Sequence, residues 1–384
     1  MQDTELLKYG KYLTSLIASV ILKTTPPAPF EGIDWKELFK LAKMHDSTTV
    51  IYPALAKFDI PEDALQLFEK EKNLIVSRTT RQAIEAERVL GTLEKNGIKY
   101  IRLKGSHIKD LYPAPCMRTF CDIDIYVSQE DRERAKPLMR DLGYILDCEI
   151  DYHDEYKKDD FYVYEIHSPL VSENSFHHNL FTDPFNKAKA SQKNKFDYVL
   201  NNEYFYLHLF FHLYGHFIHR GCGIRLFTDL LIFKESIPDV DYSFIESVLK
   251  QYDMLGFYQS VQKLIDFFFF NKPADDDTLT VAEYIFSCQA NSAFTNTLAN
   301  YSLGDKIKYL FTMWFPPAKD LSFRYPVLEK YPVLLPICWI RRFFYSLFFK
   351  RVAFKTQTNN IKRINSKEFK AIKKARKLAT KNKI

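Results

Sequence analysis

Apolar residues recur along most of this chain at three- and four-residue intervals, and only between about positions 98 and 167 does the interval fall to two. The first rhythm predicts helices, the second a sheet. Asp34 followed three residues later by Glu37 has the form of a capping box, and behind it Trp35, Leu38, Phe39 and Ala42 build one apolar helical face. Pro26, Pro27 and Pro29 set this helix apart from one before it. A long amphipathic stretch over 65–93 stops at Asn96-Gly97. Strands are expected at 98–103, 121–127 and 160–167, and Ser128 with Asp131 opens a helix that ends at Gly143. From Asn201 to Glu235 the pattern is helical again and rich in aromatics, and 240–310 adds further helices with Phe267 to Phe270 in the core. The predicted fold class is α+β: a small mixed β-sheet, with the site at its edge, flanked by N-terminal and C-terminal helical regions. The expected domains are 1–95 (helical), 96–190 (the sheet-bearing core), 191–320 (helical) and 321–384 (an aromatic and basic amphipathic tail).

The sheet region also carries the candidate chemistry. Asp122 and Asp124 share one face of their strand, while Ile123, Ile125 and Val127 point the other way into a core. Two carboxylates about 7 Å apart along a strand repel unless a cation or a proton sits between them, and Mg²⁺ favours carboxylates together with substrate phosphates. By the same repulsion, Asn at either position is expected to leave stability unchanged or raised. Ahead of this strand, Lys104-Gly105-Ser106 forms a turn at a helix expected to begin near His107. Gly105 would let backbone N–H groups approach a polyphosphate, Ser106 would add a hydroxyl, Lys104 a mobile cation and Arg118 a planar fork.

Together these residues resemble the nucleotidyltransferase superfamily built like DNA polymerase β, whose signature is Gly-Ser followed by Asp-x-Asp. More narrowly they resemble a bacterial branch with the pattern Leu-Lys-Gly, Tyr-x-x-Pro, Arg and Asp-Ile-Asp, here Leu103-Lys104-Gly105, Tyr112 to Pro115, Arg118 and Asp122-Ile123-Asp124. Weaker likeness extends upstream through Asp34-Trp35, Leu41-Ala42 and His45, and downstream to about residue 235. The resemblance implies a nucleotidyltransferase core and a third acid on a following strand. That role falls to Glu165, on one strand face with Val163 and His167, in preference to Asp159 and Asp160. The implied activity is transfer of a nucleoside monophosphate from an NTP such as ATP to an acceptor with release of pyrophosphate, with Mg²⁺ (or Mn²⁺) held by Asp122, Asp124 and Glu165, and Glu165 also drawing the proton from the acceptor. Lys104, Gly105, Ser106 and Arg118 would hold the nucleotide. His167 either touches the nucleotide, takes a proton, or packs as a strand histidine. Downstream, the resemblance adds His212, His216, Arg225 and Asp229 to the nucleotide or acceptor site, although an i, i+4 ion pair explains Arg225 and Asp229 equally well. His208, His212, His216 and His219 share a helical face, but no Asp, Glu or Cys lies among them to complete a metal site. The alternative reading is a nucleotide-binding regulatory or scaffold protein without turnover.

Composition adds boundaries. With 46% hydrophobic and 27% charged residues, the chain has an ordinary globular balance, with few glycines (11) and many aromatics (16%), which favours helix. Six cysteines without a Cys-x-x-Cys pair fit free thiols in a reducing cytoplasm. The N-terminal stretch does not read as a signal peptide, and no apolar run reaches the roughly 18–20 residues of a membrane helix. The expected location is therefore cytoplasmic, with peripheral contact at the inner membrane surface as an extension. Charge motivates that extension. Residues 341–384 hold 15 Lys or Arg and one acid, whereas the other 340 carry 39 bases and 47 acids. Trp339, Phe343, Phe344, Leu347 and Phe348 recur at helical spacing among Arg341, Arg342, Lys350 and Arg351, a pattern suited to an anionic membrane interface. Packing of that face with a solvated Lys-rich end competes with it, and nucleic acid is a third, less favoured partner because the run from Lys370 to Lys383 lacks aromatic interleaving. A truncation of 355–384 is accordingly expected to leave the core intact.

Overall fold

In the computed structural model the described residues are 3–120, 122–159, 162–192, 194–287, 315–318, 321, 325, 327–349 and 374–380. They fall into two compact units: Met1–Tyr214 with Cys222–Gln289 and Ala379–Ile384, and Gly215–Gly221 with Ala290–Leu378.

The first unit begins with helices α1 (Asp3–Ile21), α2 (Trp35–Met44), α3 (Thr48–Leu55) and α4 (Glu62–Lys95). Asp34 caps α2 as its sequence suggests, its carboxylate accepting from the backbone N–H groups of Lys36 and Glu37. Leu38, Leu41 and Ala42 behind it are buried. At 34 residues α4 spans about 50 Å, and it stops where Gly97 takes a left-handed φ of 73° without a Cβ penalty.

The sheet has seven strands: β1 (Tyr100–Arg102), β2 (Asp122–Tyr126), β3 (Ile145–Glu149), β4 (His153–Lys158), β5 (Tyr162–His167), β6 (Ala188–Ala190) and β7 (Asp197–Leu200). Their order is β3-β4-β5-β2-β1-β7-β6, with β2/β5 and β1/β7 parallel and the other pairs antiparallel. The sheet is thus larger than the three expected strands, and the acid-bearing strands lie inside it, not at its edge. Between β1 and β2 runs the short helix α5 (Lys104–Ile108), and after β2 comes α6 (Gln129–Asp141), capped by the Ser128 hydroxyl accepting from Asp131 N–H. One sheet face meets α4 and α6: Ile123, Ile125, Tyr156, Tyr164 and Ile166 form a core with Val89, Leu93, Ala135 and Met139. By alternation, Asp122, Asp124, Glu165 and His167 occupy the opposite face.

The helical run expected from Asn201 to Glu235 is interrupted. Helix α7 (Asn202–Gly215) passes into a π-helical turn, His216–Arg220, and α8 (Ile224–Ser236) starts afresh after Gly221 and Gly223. His208 and His212 lie on α7, whereas His216 and His219 belong to the π-helical turn. Helices α9 (Tyr242–Gln251), α10 (Leu255–Phe269) and α11 (Asp276–Ser287) follow, and α1 packs against α10 and α11 as well as α3.

In the second unit the helix Leu335–Phe349 packs through Cys338 onto Leu321 and Leu328, and Trp339 donates its Nε1–H to the Pro316 carbonyl at 2.8 Å. Trp339 is therefore half-buried against this core, and the most exposed apolar residues of this region are Val333, Ile337 and Ile340. The side chains of Phe343, Phe344, Leu347 and Phe348, together with Lys350 and Arg351, lie outside the described residues. No helix among the described residues is long and apolar enough to cross a membrane.

Candidate active site

The parallel register of β2 and β5 pairs Asp122 with Val163, Asp124 with Glu165 and Tyr126 with His167. Successive side chains on each strand alternate, so this register gathers the polar members of two strands on one face. Asp122, Asp124 and Glu165 each offer a carboxylate oxygen, and these three atoms lie within 4.8 Å of one another. Oxygens this close suit ligands of a hard divalent cation. Asp124 is 2% exposed, so its charge requires a partner.

Lys104 supplies that partner. Its Nζ lies 2.5 Å from Asp124 Oδ1 and 3.9 Å from Glu165 Oε2. Burial alone would lower the Lys104 pKa, but Asp124, Glu165 and Asp122 outweigh it and hold the ammonium charged above the ordinary lysine range. Lys104 also has a left-handed backbone, with φ at 42°, an unfavourable conformation for a non-glycine residue that costs about 1 kcal/mol. The side chain expected against a phosphate thus serves here as the counter-ion of the carboxylates. His167 joins the same cluster, with Nε2 3.1 Å from Asp124 Oδ1 and 3.3 Å from Glu165 Oε2. Burial opposes its protonation, yet the two carboxylates win and raise its pKa. Burial likewise opposes ionisation of Glu165, but His167 and Lys104 bring its pKa down to about 2.

The rest of the turn does structural work. The helix begins at Lys104 instead of near His107 and is only five residues long, too short to present much of a macrodipole. A Cβ on Gly105 would lie 3.2 Å from Phe120 Cβ and 3.4 Å from Arg118 Nη1, so close packing demands glycine there. The Ser106 hydroxyl is buried between the carbonyl oxygens of Leu103 at 2.6 Å and Asp124 at 3.0 Å, tying β1 to β2.

Arg118 and Asp229, expected at the nucleotide, engage each other instead. Nε and Nη2 of Arg118 each lie 2.7 Å from an Asp229 oxygen, and the Tyr112 hydroxyl donates to the same carboxylate at 2.8 Å. Both charged residues are 2% exposed. The expected Arg225–Asp229 pair does not form: Arg225 reaches the Thr119 carbonyl at 2.9 Å and Asp46 at 3.2 Å. These contacts fasten the β1–β2 connection to α8, behind the turn. His212 is half-buried on α7, and His216 opens the π-helical turn that belongs to the second unit.

Two further histidines lie near the cluster, of which the sequence pointed to His208 only as one of a helical row and not at all to His153. His208 on α7 is buried and neutral, its pKa lowered to about 3 chiefly by burial, with Lys104 and His167 adding to the effect and Asp124 opposing it. His153 on β4 sits opposite His167 in the β4/β5 register, with ring centroids 5.1 Å apart. The β4 sequence, HDEYKK, has one apolar residue and so lacks the alternation that reveals a strand.

Residues 31–269, more than half of the chain, match a family model described as an uncharacterised nucleotidyltransferase. No curated protein and no solved structure matches.

Proposed function

The chain belongs to the uncharacterised nucleotidyltransferase family, and on that premise we propose that it moves a nucleoside monophosphate from an NTP to an acceptor in a Mg²⁺-dependent reaction that releases pyrophosphate. The observation that carries this reading is the convergence of Asp122, Asp124 and Glu165 within 4.8 Å on adjacent strands. Three carboxylates fit Mg²⁺ or Mn²⁺ by donor type. A divalent ion bound there would supply charge neutralisation for the triphosphate and for the attacking and leaving oxygens. Asp122 and Asp124 would hold the cation that neutralises the triphosphate, and Glu165, ionised down to low pH, would serve as a further ligand more readily than as a base. With a cation held by the carboxylates, Lys104, now paired with Asp124, would be free to contribute its positive charge to the phosphates. The Arg118–Asp229–Tyr112 clamp positions the turn that carries Lys104. The acceptor's oxygen or nitrogen bonds the α-phosphorus as the bond to the α,β-bridging oxygen breaks, and the acceptor's proton passes to solvent. The acceptor is a small molecule or sugar, a protein side chain, or nucleic acid.

The test is incubation of the full chain with each α-labelled NTP, Mg²⁺ and a lysate, followed by measurement of label transfer and pyrophosphate. Asp124→Asn is expected to abolish both. Full transfer by that variant would rule the mechanism out. Tight NTP binding with no pyrophosphate across an acceptor panel would favour the binding-protein alternative.

A membrane-surface role for the tail is a second proposal, supported by one observation. Val333, Ile337 and Ile340 follow helical spacing and are 81%, 62% and 58% exposed, directly before Arg341 and Arg342. Such a face suits an anionic lipid interface. Salt-sensitive sedimentation with anionic liposomes, lost in Ile337→Asp, is the expected result. Sedimentation with no liposome dependence would remove the proposal.

A further inference from the structure

Beside the three carboxylates lies a second donor group of different chemistry. His153, Glu165 and His167 each offer one ligand atom, and these atoms lie within 4.8 Å of one another. The β4/β5 register sets His153 directly across from His167, and alternation puts both rings on the face that carries Glu165. Glu165 divides its oxygens. Oε2 is 3.3 Å from His167 Nε2 and 3.9 Å from Lys104, on the carboxylate side, whereas Oε1 faces His153 Nε2 at 4.0 Å. A 4.0 Å separation is too long for a hydrogen bond. Two donors about 2.0–2.1 Å from one tetrahedral ion stand about 3.3 Å apart, so these spacings need only small adjustment to accept one.

The rings are also committed to this place. His153 and His167 are 8% and 3% exposed, and the Nδ1 atom of each is buried without a hydrogen-bond partner. The Nε2 atoms of both rings face Glu165, that of His153 at 4.0 Å and that of His167 at 3.3 Å while it also contacts Asp124 at 3.1 Å. A buried pair of imidazoles with unpartnered Nδ1 atoms is an expensive way to fill a sheet face, and a hydrophobic pair would pack there at lower cost.

We propose that His153, His167 and Glu165 form a transition-metal site next to the Asp122/Asp124/Glu165 cluster, with Glu165 bridging the two. Two imidazoles and a carboxylate suit Zn²⁺ or Co²⁺, whereas Mg²⁺ favours all-oxygen surroundings. The two groups would therefore sort ions by donor type, a soft-side ion on β4/β5 and a hard-side ion on β2/β5. The site does not depend on nucleotidyl transfer, and its test reads metal alone.

Full-length protein is dialysed against Zn²⁺ in a large excess of Mg²⁺ and its metal content measured, and Co²⁺ is then titrated in while its visible absorption is followed. The wild type and Asp122→Asn are expected to retain one Zn²⁺ per chain and to give Co²⁺ bands from nitrogen ligands. His153→Ala and the more conservative His153→Gln are expected to bind Zn²⁺ at least tenfold more weakly and to lose those bands. Absence of Zn²⁺ retention by the wild type overturns the proposal, whatever the variants do. So does retention by folded His153→Ala or His153→Gln equal to the wild type, which would leave the rings as packing groups.

Discussion

Asp122 and Asp124 are two residues apart on one face of one strand, yet their surroundings differ enough to separate their mutants. Asp124 is 2% exposed and touches Lys104 and His167, whereas Asp122 is only half-buried. Simple repulsion between the pair made Asn at either position neutral or stabilising. The Lys104 contact changes that sign at 124, because removing the carboxylate strands a largely buried ammonium. Asp124→Asn is expected to lower stability by about 2 kcal/mol, less than a fully buried pair because Glu165 remains nearby, while Asp122→Asn changes it by less than about 0.5 kcal/mol. Equal urea midpoints for the two variants would show that Lys104 is not the counter-ion. The Arg118–Asp229 pair gives a larger effect. Asp229→Ala leaves a buried guanidinium and the Tyr112 hydroxyl without their acceptor, at an expected cost of about 3–5 kcal/mol. Replacing Arg118 by Lys does not restore the bidentate geometry, so thermal unfolding of Arg118→Lys should also be well below wild type. A wild-type melting temperature for either variant refutes the clamp.

At the scale of elements, one histidine joins three helical segments. His45 follows α2, donates from Nε2 to the Phe286 carbonyl on α11 at 3.1 Å, and accepts at Nδ1 from Ile224 N–H at the start of α8 at 3.4 Å. It is 1% exposed, and burial lowers its pKa from 6.5 to about 4. Because the unfolded chain binds this proton more readily, the stabilising contribution is full above about pH 6.5 and is lost as pH falls toward 4, amounting to about 3 kcal/mol. Urea midpoints measured across that range should fall more steeply for the wild type than for His45→Gln, and parallel slopes would refute the assignment. Helix packing offers a second check. A Cβ on Gly10 of α1 would lie 2.4–2.6 Å from the ring of the buried Phe286. Gly10→Ala should therefore destabilise by about 1–3 kcal/mol despite its better helix propensity, and a rise in urea midpoint would contradict the packing. Both contacts bind N-terminal helices to C-terminal ones, and neither can be read from sequence. What was legible were elements with local signatures: the Asp34 and Ser128 caps, the stop at Asn96-Gly97, and the strands around Ile123 and Tyr164. The Asp-Ile-Asp face was legible because alternation is a local rule. The polar strand β4, the break at Gly221–Gly223 and the partnership of Arg118 with a residue 111 positions away were not, because their energies come from tertiary pairing.

For the whole molecule, charge asymmetry suggested that the last thirty residues are a solvated appendage, yet the described part of them is not. In the segment 374–380, Ala375, Arg376 and Ala379 are 0%, 5% and 2% exposed, while Lys374 and Lys377 face solvent. Burial at this helical spacing is what a docked helix shows, with small residues permitting close approach and the lysines on the far side. Arg376 Nε donates to the Phe217 carbonyl at 3.1 Å, and Phe217 lies in the π-helical turn His216–Arg220. This guanidinium thus ties the segment to the irregular turn. The sequence concealed this because an alanine- and lysine-rich end carries few large apolar residues, and burial here depends on small side chains and one arginine. Truncation at 355 should therefore destabilise the unit that holds Gly215–Gly221, and Arg376→Ala alone should cost about 1–3 kcal/mol by removing a buried side-chain hydrogen bond to that turn. Lys374→Gln with Lys377→Gln should be neutral within about 0.5 kcal/mol, although it removes more charge. Thermal unfolding and limited proteolysis around 215–221 distinguish these outcomes. If the truncated chain and Arg376→Ala both match the wild type while the double lysine variant alone alters behaviour, charge and not docking is what this end of the molecule contributes.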